Sequence, residues 1–288
     1  AFLDDMAHGV LSGPMTAAGD LIDPALLNAH YIAGDGRVNE NFGLTTIHDI
    51  FHAEHNRILI EIQDMVATLS PAEQAGWTPE RYFQAAKLVT EMEYQHLVFG
   101  EFARKLSPHV GAFAGYDVTI DPAITAEFAH AVYRFGHSML TETVSVVDVN
   151  GSDANTMSLI DAFLNPLAYG EANAGAIVAG DVVRGMSGQV ANAIDEWVTG
   201  ALRNNLVGLP LDLATLNIVR GRDAGIGSLN DVRADLFAQT GLSILKPYVS
   251  WDDFGQHLLH HESLENFIMA YADLTGFNGV TLRDKAKS

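Results

Sequence analysis

Residues 44–69 read LTTIHDIFHAEHNRILIEIQDMVATL. Leu44, Ile47, Phe51, Ile58, Ile62, Met65 and Leu69 fall near a 3.6-residue repeat, which predicts one long amphipathic helix with that stripe turned inward. Ser70-Pro71 stops it. Pro79 opens a second long helix to about Leu106, with proline in the first turn, where its missing N–H costs nothing. Pro108 and GAFAGYD (111–117) end that one. Asp121-Pro122 reads as the cap of a third helix over about 123–143. A loop rich in Asn, Gly, Asp and Ser spans 149–155. Helical fragments are expected from Asp161 onward, and a further helix over 192–204. Residues 212–236, DLATLNIVRGRDAGIGSLNDVRADL, read as a helix broken by glycines and restarted, and 253–274 as helical. No repeat, linker or alternating strand pattern of useful length interrupts this. The expectation is a single, mainly α-helical domain across residues 1–288.

Composition narrows the chemistry. The 288 residues are 48% hydrophobic and 18% charged, which suits a core-forming globular chain. The net charge of -20 argues against nucleic acid and anionic membrane surfaces as partners, because both would repel it. There is no cysteine, so disulfides, thiolate metal sites and cysteine nucleophiles are excluded. No apolar run reaches the ~18 residues a membrane span needs, and no signal peptide is visible at Ala1. The unpunctuated ends suggest a piece of something longer.

Several segments carry candidate chemistry. His137, in AHAVYRFGHSML, lies in an apolar stretch with Ile124, Phe128, Val132, Phe135 and Met139. A histidine facing inward there is either a neutral imidazole ligand to iron or a core residue bonded to a carbonyl. Asn217 offers an amide oxygen that can fix the tautomer of a metal-bound histidine, or it is a turn residue. Arg220 and Arg222, if buried, need anions: Asp212 or Asp223, or the carboxylates of a cofactor. Arg134 raises the same question. Arg37 sits in a Gly-rich approach to the long helix with Glu40 three residues on. It either stabilises charge on an oxygen leaving group or pairs with Asp35 or Glu40 in a surface turn.

Taken together, GDGRVNEN…EHNR, VYRFGHSML and LNIVRGRD, in that order and spacing, resemble the animal haem peroxidase (peroxidase–cyclooxygenase) superfamily. The likeness is nearest to its large secreted bacterial branch. EYQHLVFGEF and VRGMSGQVANAIDEW also resemble the family, so the likeness covers most of the chain. It implies a mainly α haem peroxidase fold and a haem b cofactor. His137 would be the proximal iron ligand and Asn217 its hydrogen-bond partner. Arg37 would be the distal catalytic arginine, with Arg134 and Arg220 on the haem propionates. Glu40 matches the glutamate that some members ester-bond to a haem methyl. The implied activity is hydrogen peroxide reduction with oxidation of a halide, a phenol or Mn(II), in a secreted protein.

Three departures follow. The family's distal-histidine motif is not found, and His8 and His30 match neither its residues nor its spacing. Its calcium-binding loop is likewise missing. RDAG stands at 222–225 where mammalian members have RDHG. The first two imply a fragment lacking the N-terminal part of the domain, with the distal base on another chain or segment and activity of this piece alone in question; the third leaves out a histidine that is not a catalytic candidate.

Rival readings differ in residues. In HDIFHAEH, His48, Asp49 and His52 approach the zinc-protease spacing, but a third ligand is not evident. Glu93 and His96 give one E-x-x-H, where a di-iron bundle needs two. A fatty-acid oxygenase would carry tyrosine three residues before His137; Arg134 stands there. A non-catalytic interaction or adhesion module with the same fold would be told apart by haem content.

Overall fold

The computed structural model describes residues 36–169, 177–206 and 209–272. They form two compact units. Unit 1 takes residues up to 122 with 145–157 and 162–188; unit 2 takes 123–144, 158–161 and 189 onward. Both are mainly helical, and strand is limited among the described residues to Thr143–Val144 and Met157–Ser158.

Unit 1 is built on α1 (Phe42–Ala67) and α2 (Pro79–Gln95). Asn41 caps α1: its side chain accepts from the Leu44 N–H at 3.0 Å. Asn41→Ala removes that acceptor and is expected to cost about 1 kcal/mol. A shift of the chemical-denaturation midpoint checks it, and an unchanged midpoint would show the cap to be idle. Ser70 and Glu73 form a capping box on the short Pro71–Gln74 helix, so Pro71 restarts the chain as well as stopping it. Thr78 caps α2 with Pro79 at its start. Beyond α2 the winding widens to a π-helix over His96–Phe102 before Ala103–Leu106 closes the run.

The buried face of α1 matches the expected apolar stripe only in part. Ile58, Ile62 and Val66, spaced by four, pack on Ala86 with Leu59, Trp77 and Tyr82 around them. Ile47, Met65 and Leu69 are exposed, while Thr45 and Thr46 are buried. The threonines can be buried because their hydroxyls donate to the carbonyls of Val38 and Phe42 at 2.9 and 2.8 Å. A hydropathy stripe misses residues whose polarity is satisfied within the first turn.

A helix that the sequence did not announce, α4 (Ala179–Gly188), belongs to the same unit and packs on α1. Its glycines at 180, 185 and 188 score as breakers in a linear reading. Gly185 is used for contact: a Cβ there would lie 2.1 Å from the Ser145 carbonyl oxygen. The Val147 N–H donates to the Asp181 carbonyl at 3.0 Å, and Arg184 Nε donates to Val147 O at 3.1 Å.

In unit 2 the third expected helix is broken. Thr125, not Asp121-Pro122, caps it through the Phe128 N–H, and α3 covers only Ala126–His130. Ala131 leaves helical geometry at φ -125, ψ -69. A 3-10 turn (Val132–Phe135) and a short turn (Gly136–Met139) complete the segment. Val132 and Tyr133 are poor helix formers, and Gly136 weakens the run further. Ile124, Phe128 and Val132 are exposed rather than turned inward.

The expected helix over 192–204 shrinks to α5 (Gly200–Asn204). Upstream, Asn192 gives its backbone N–H to Met139 O and its side chain to Leu140 O, and Asp195 accepts from the Trp197 N–H. Local polar side chains take the bonds a helix would have used.

The glycine-broken reading of 212–236 holds. Asp212 caps α6 (Leu213–Asp223), and Gly225 turns at φ +73. Ser228 and Asp231 box the start of α7 (Leu229–Thr240). The last segment is interrupted, with α8 (Trp251–Gly255) and α9 (Ser263–Tyr271); residues 273 and 274 lie outside the described residues. Gly255 permits that corner, since a Cβ would meet Leu264 at 2.6 Å. No helix among the described residues is long and apolar enough to cross a membrane.

Candidate functional site

The break after α3 gives His137 its position. On a short turn, its imidazole meets α6, where the Asn217 amide lies 2.7 Å from Nδ1. In the arrangement observed, Nδ2 faces Nδ1 and the buried Oδ1 has no partner. The two amide atoms are nearly isosteric, and a half-turn exchanges them. Nδ2 donating to Nδ1 puts the ring proton on Nε2. Oδ1 accepting from Nδ1–H leaves the Nε2 lone pair free for a metal.

The electrostatics around this imidazole are one-sided. Burial first, then the Arg134 and Arg220 guanidiniums, hold His137 below the ordinary histidine pKa. The ring is therefore neutral at pH 7, the form that ligates iron. Neither arginine has a carboxylate within ion-pair distance among the described residues, and the buried Nε of Arg134 has no partner. Asp212, a candidate counterion in the sequence, is spent on capping α6. Arg220 and Arg222 are exposed at the end of α6, so the buried-arginine reading does not hold. Two unpaired cations beside a neutral histidine, in a chain of charge -20, fit a group bringing a metal and carboxylates together. Haem fits that description.

Arg37 and Glu40 lie in unit 1, on and just after the 3-10 turn Gly36–Asn39. Arg37 is exposed. Burial raises the pKa of Glu40, and the Arg37 charge offsets part of that rise. Glu40 is fixed through its backbone, accepting from the Leu164 N–H at 2.9 Å and donating to Arg37 O at 3.0 Å. Asn39 between them is buried, and neither polar atom of its amide has a partner. Nothing in the linear sequence flags it, since RVNE in a Gly-rich turn reads as surface.

The rival sites dissolve. Asp49 accepts from the Tyr169 hydroxyl at 2.9 Å, so it serves packing. His52 is exposed, and His55 meets the Phe83 carbonyl at 3.3 Å. In the EHNR segment, Arg57 pairs with Glu54 and Glu61, each at 2.5 Å, on the surface. Among the described residues no three His, Asp or Glu are grouped to hold a metal ion. His8 and His30 lie outside the described residues.

Comparison with known proteins places the chain among named relatives. Peroxinectin A of Dictyostelium discoideum is 28% identical over 258 residues, covering 88% of this chain and 45% of that protein. Peroxidase mlt-7 of Caenorhabditis elegans is 30% identical over 239 residues, covering 80% of this chain and 30% of its own length. The structure of peroxidase A from Dictyostelium discoideum superposes with a TM-score of 0.70 at 26% identity, covering 90% of this chain and 46% of that one. The chain thus spans less than half the length of these relatives. The family model for animal haem peroxidase matches residues 16–278. With that match across nearly all its length, and with this helical fold, the chain belongs to the animal haem peroxidase family.

Proposed function

We propose that this chain is the haem-binding part of a secreted peroxidase that reduces hydrogen peroxide and oxidises a small donor, a halide, a phenol or Mn(II). The observation carrying this reading is the Asn217–His137 pair at 2.7 Å, flanked by two guanidiniums that have no carboxylate within ion-pair distance among the described residues. When bound, haem supplies the redox chemistry at iron. The protein supplies the rest. His137 would ligate through Nε2, and Asn217, accepting from Nδ1–H, would hold the ring's orientation. Arg134 and Arg220 would take the propionates. Arg37 is the residue that, on the family resemblance, would stabilise negative charge on a peroxide oxygen. A base must carry the proton from one peroxide oxygen to the other. In this reading it comes from a chain or segment outside these residues, as does the family's calcium loop. Glu40 is the residue through which the haem would become covalent.

A neutral amide partner leaves the proximal imidazole less electron-rich than a carboxylate would. Asn217→Asp is therefore expected to lower the Fe(III)/Fe(II) potential of the hemin-loaded chain. For one electron, a tenfold change in relative affinity is about 59 mV, and a downward shift of at least that size is expected. Spectroelectrochemistry checks it; an unchanged or raised potential argues against the proximal pairing. Wild-type chain should also show a histidine-type Soret band with added hemin. Adding a chain or segment that carries the distal base should speed its reaction with peroxide. Hemin binding with no peroxide reaction even then would leave a haem protein that is not a peroxidase.

A further inference from the structure

Unit 2 holds a cavity of about 880 Å³ at the junction of α6, α7, α8 and α9. Its walls are Tyr248, Trp251, Phe254, Phe267 and Tyr271, and its one charged lining residue is Arg222. We propose that this cavity is a ligand site for a small aromatic carboxylate, its ring against the aromatic wall and its carboxylate on Arg222.

The wall is continuous. The Phe254 ring lies 5.4 Å from Tyr248, 5.2 Å from Phe267 and 6.1 Å from Trp251, all edge-on. Edge-on neighbours leave faces and edges open to a further flat ring. The wall is also preorganised. Asn230 clasps Tyr248 twice, its Nδ2 donating to the carbonyl and its Oδ1 accepting from the N–H, both at 2.9 Å. Arg233 stacks on the same tyrosine at 4.2 Å and donates to the carbonyls of Ile244 and Lys246.

The charge is what selects the ligand. Asp231 and Asp253 lie near in sequence, but they accept from the N–H groups of Ser228 and Val249 and do not line the cavity. The described lining contains no acid, and Arg222 has no carboxylate within ion-pair distance among the described residues. In a chain of net charge -20, such a guanidinium is conspicuous. A simple anion would satisfy Arg222 and leave the aromatic wall unused; a neutral ring would do the reverse. An aromatic carboxylate satisfies both, with guanidinium–carboxylate pairing favoured by geometry. The cavity, near the upper end of the range for small-molecule sites, admits such a molecule with room to spare. The site goes beyond the haem reading, because its residues are not those around His137 and binding needs no hemin.

Calorimetric titration of the purified chain with 4-hydroxycinnamate, beside the uncharged 4-hydroxycinnamyl alcohol, tests this. Saturable binding of the acid is expected, at least tenfold tighter than the alcohol. Arg222→Gln should weaken the acid about tenfold or more, the scale of a lost charge-assisted hydrogen bond, and leave the alcohol unchanged. Its thermal unfolding should match wild type, since Arg222 is exposed. Phe267→Ala should weaken both ligands. Equal acid binding by wild type and Arg222→Gln overturns the proposal, as does no binding at millimolar ligand. Loss of acid binding in Arg220→Gln but not in Arg222→Gln would move the ligand to the arginines beside His137, and overturns it equally.

Discussion

His137→Ala should abolish specific hemin binding, lowering affinity by more than about 100-fold. Loss of the outer hydrogen-bond partner of a metal-ligating histidine typically costs 10–100-fold, and here the ligand itself is removed. Asn217 and the two arginines beside it are poor iron ligands and would not replace it. A hemin titration read at the Soret band checks this. The variant should give only the broad absorption of loosely held hemin. Wild-type affinity should also respond to pH in a particular way. Proton and iron compete for Nε2, and burial with two nearby guanidiniums holds the His137 pKa below its ordinary value. Hemin affinity should therefore fall at a lower pH than it would for a histidine with the ordinary pKa. An unchanged Soret band in His137→Ala, or a drop already near pH 7, would count against ligation by this residue.

Gly185→Ala is expected to be the most damaging single-methyl change in unit 1. The added Cβ would stand 2.1 Å from the Ser145 carbonyl oxygen, 2.4 Å from its carbon and 2.7 Å from the Val146 nitrogen. All three are backbone atoms, so no rotamer change relieves the overlap. The helix must move off the 145–147 strip, breaking the Val147–Asp181 hydrogen bond at 3.0 Å and uncovering Val146 and Val182, both fully buried. Overpacking of a well-packed core typically costs 1–3 kcal/mol, occasionally more, and about 3 kcal/mol is expected here. For a chain of this size that lowers Tm by roughly 6–12 °C. Gly188→Ala in the same helix is the control. Its Cβ meets nothing within 4 Å, so alanine there should be neutral or stabilising by a few tenths of a kcal/mol. Equal Tm values for the two variants would remove the close-approach argument.

The sequence by itself determined the fold class, the long helices and the motifs. Helical periodicity, prolines at helix starts and capping residues act within a few residues of chain, so α1, α2, α6 and α7 were legible. The order and spacing of the segments around Arg37, His137 and Asn217 were enough to point to the family. What stayed hidden depends on contacts between distant residues. Which face of α1 is buried follows from hydroxyls satisfied by nearby carbonyls and from the helices that pack on it. α4 packs where it does because Gly185 lets it approach the backbone at 145–146, a contact no linear window contains. The break at Ala131 competes with helix propensity, and it sets His137 against Asn217, 80 residues away. That Arg134, Arg220 and Arg222 find no carboxylate partner among the described residues was equally invisible, because Asp212, Asp231 and Asp253 are spent on caps and turns. Local chemistry selected the elements; only tertiary structure decided which side chains meet and which charges remain to bind something else.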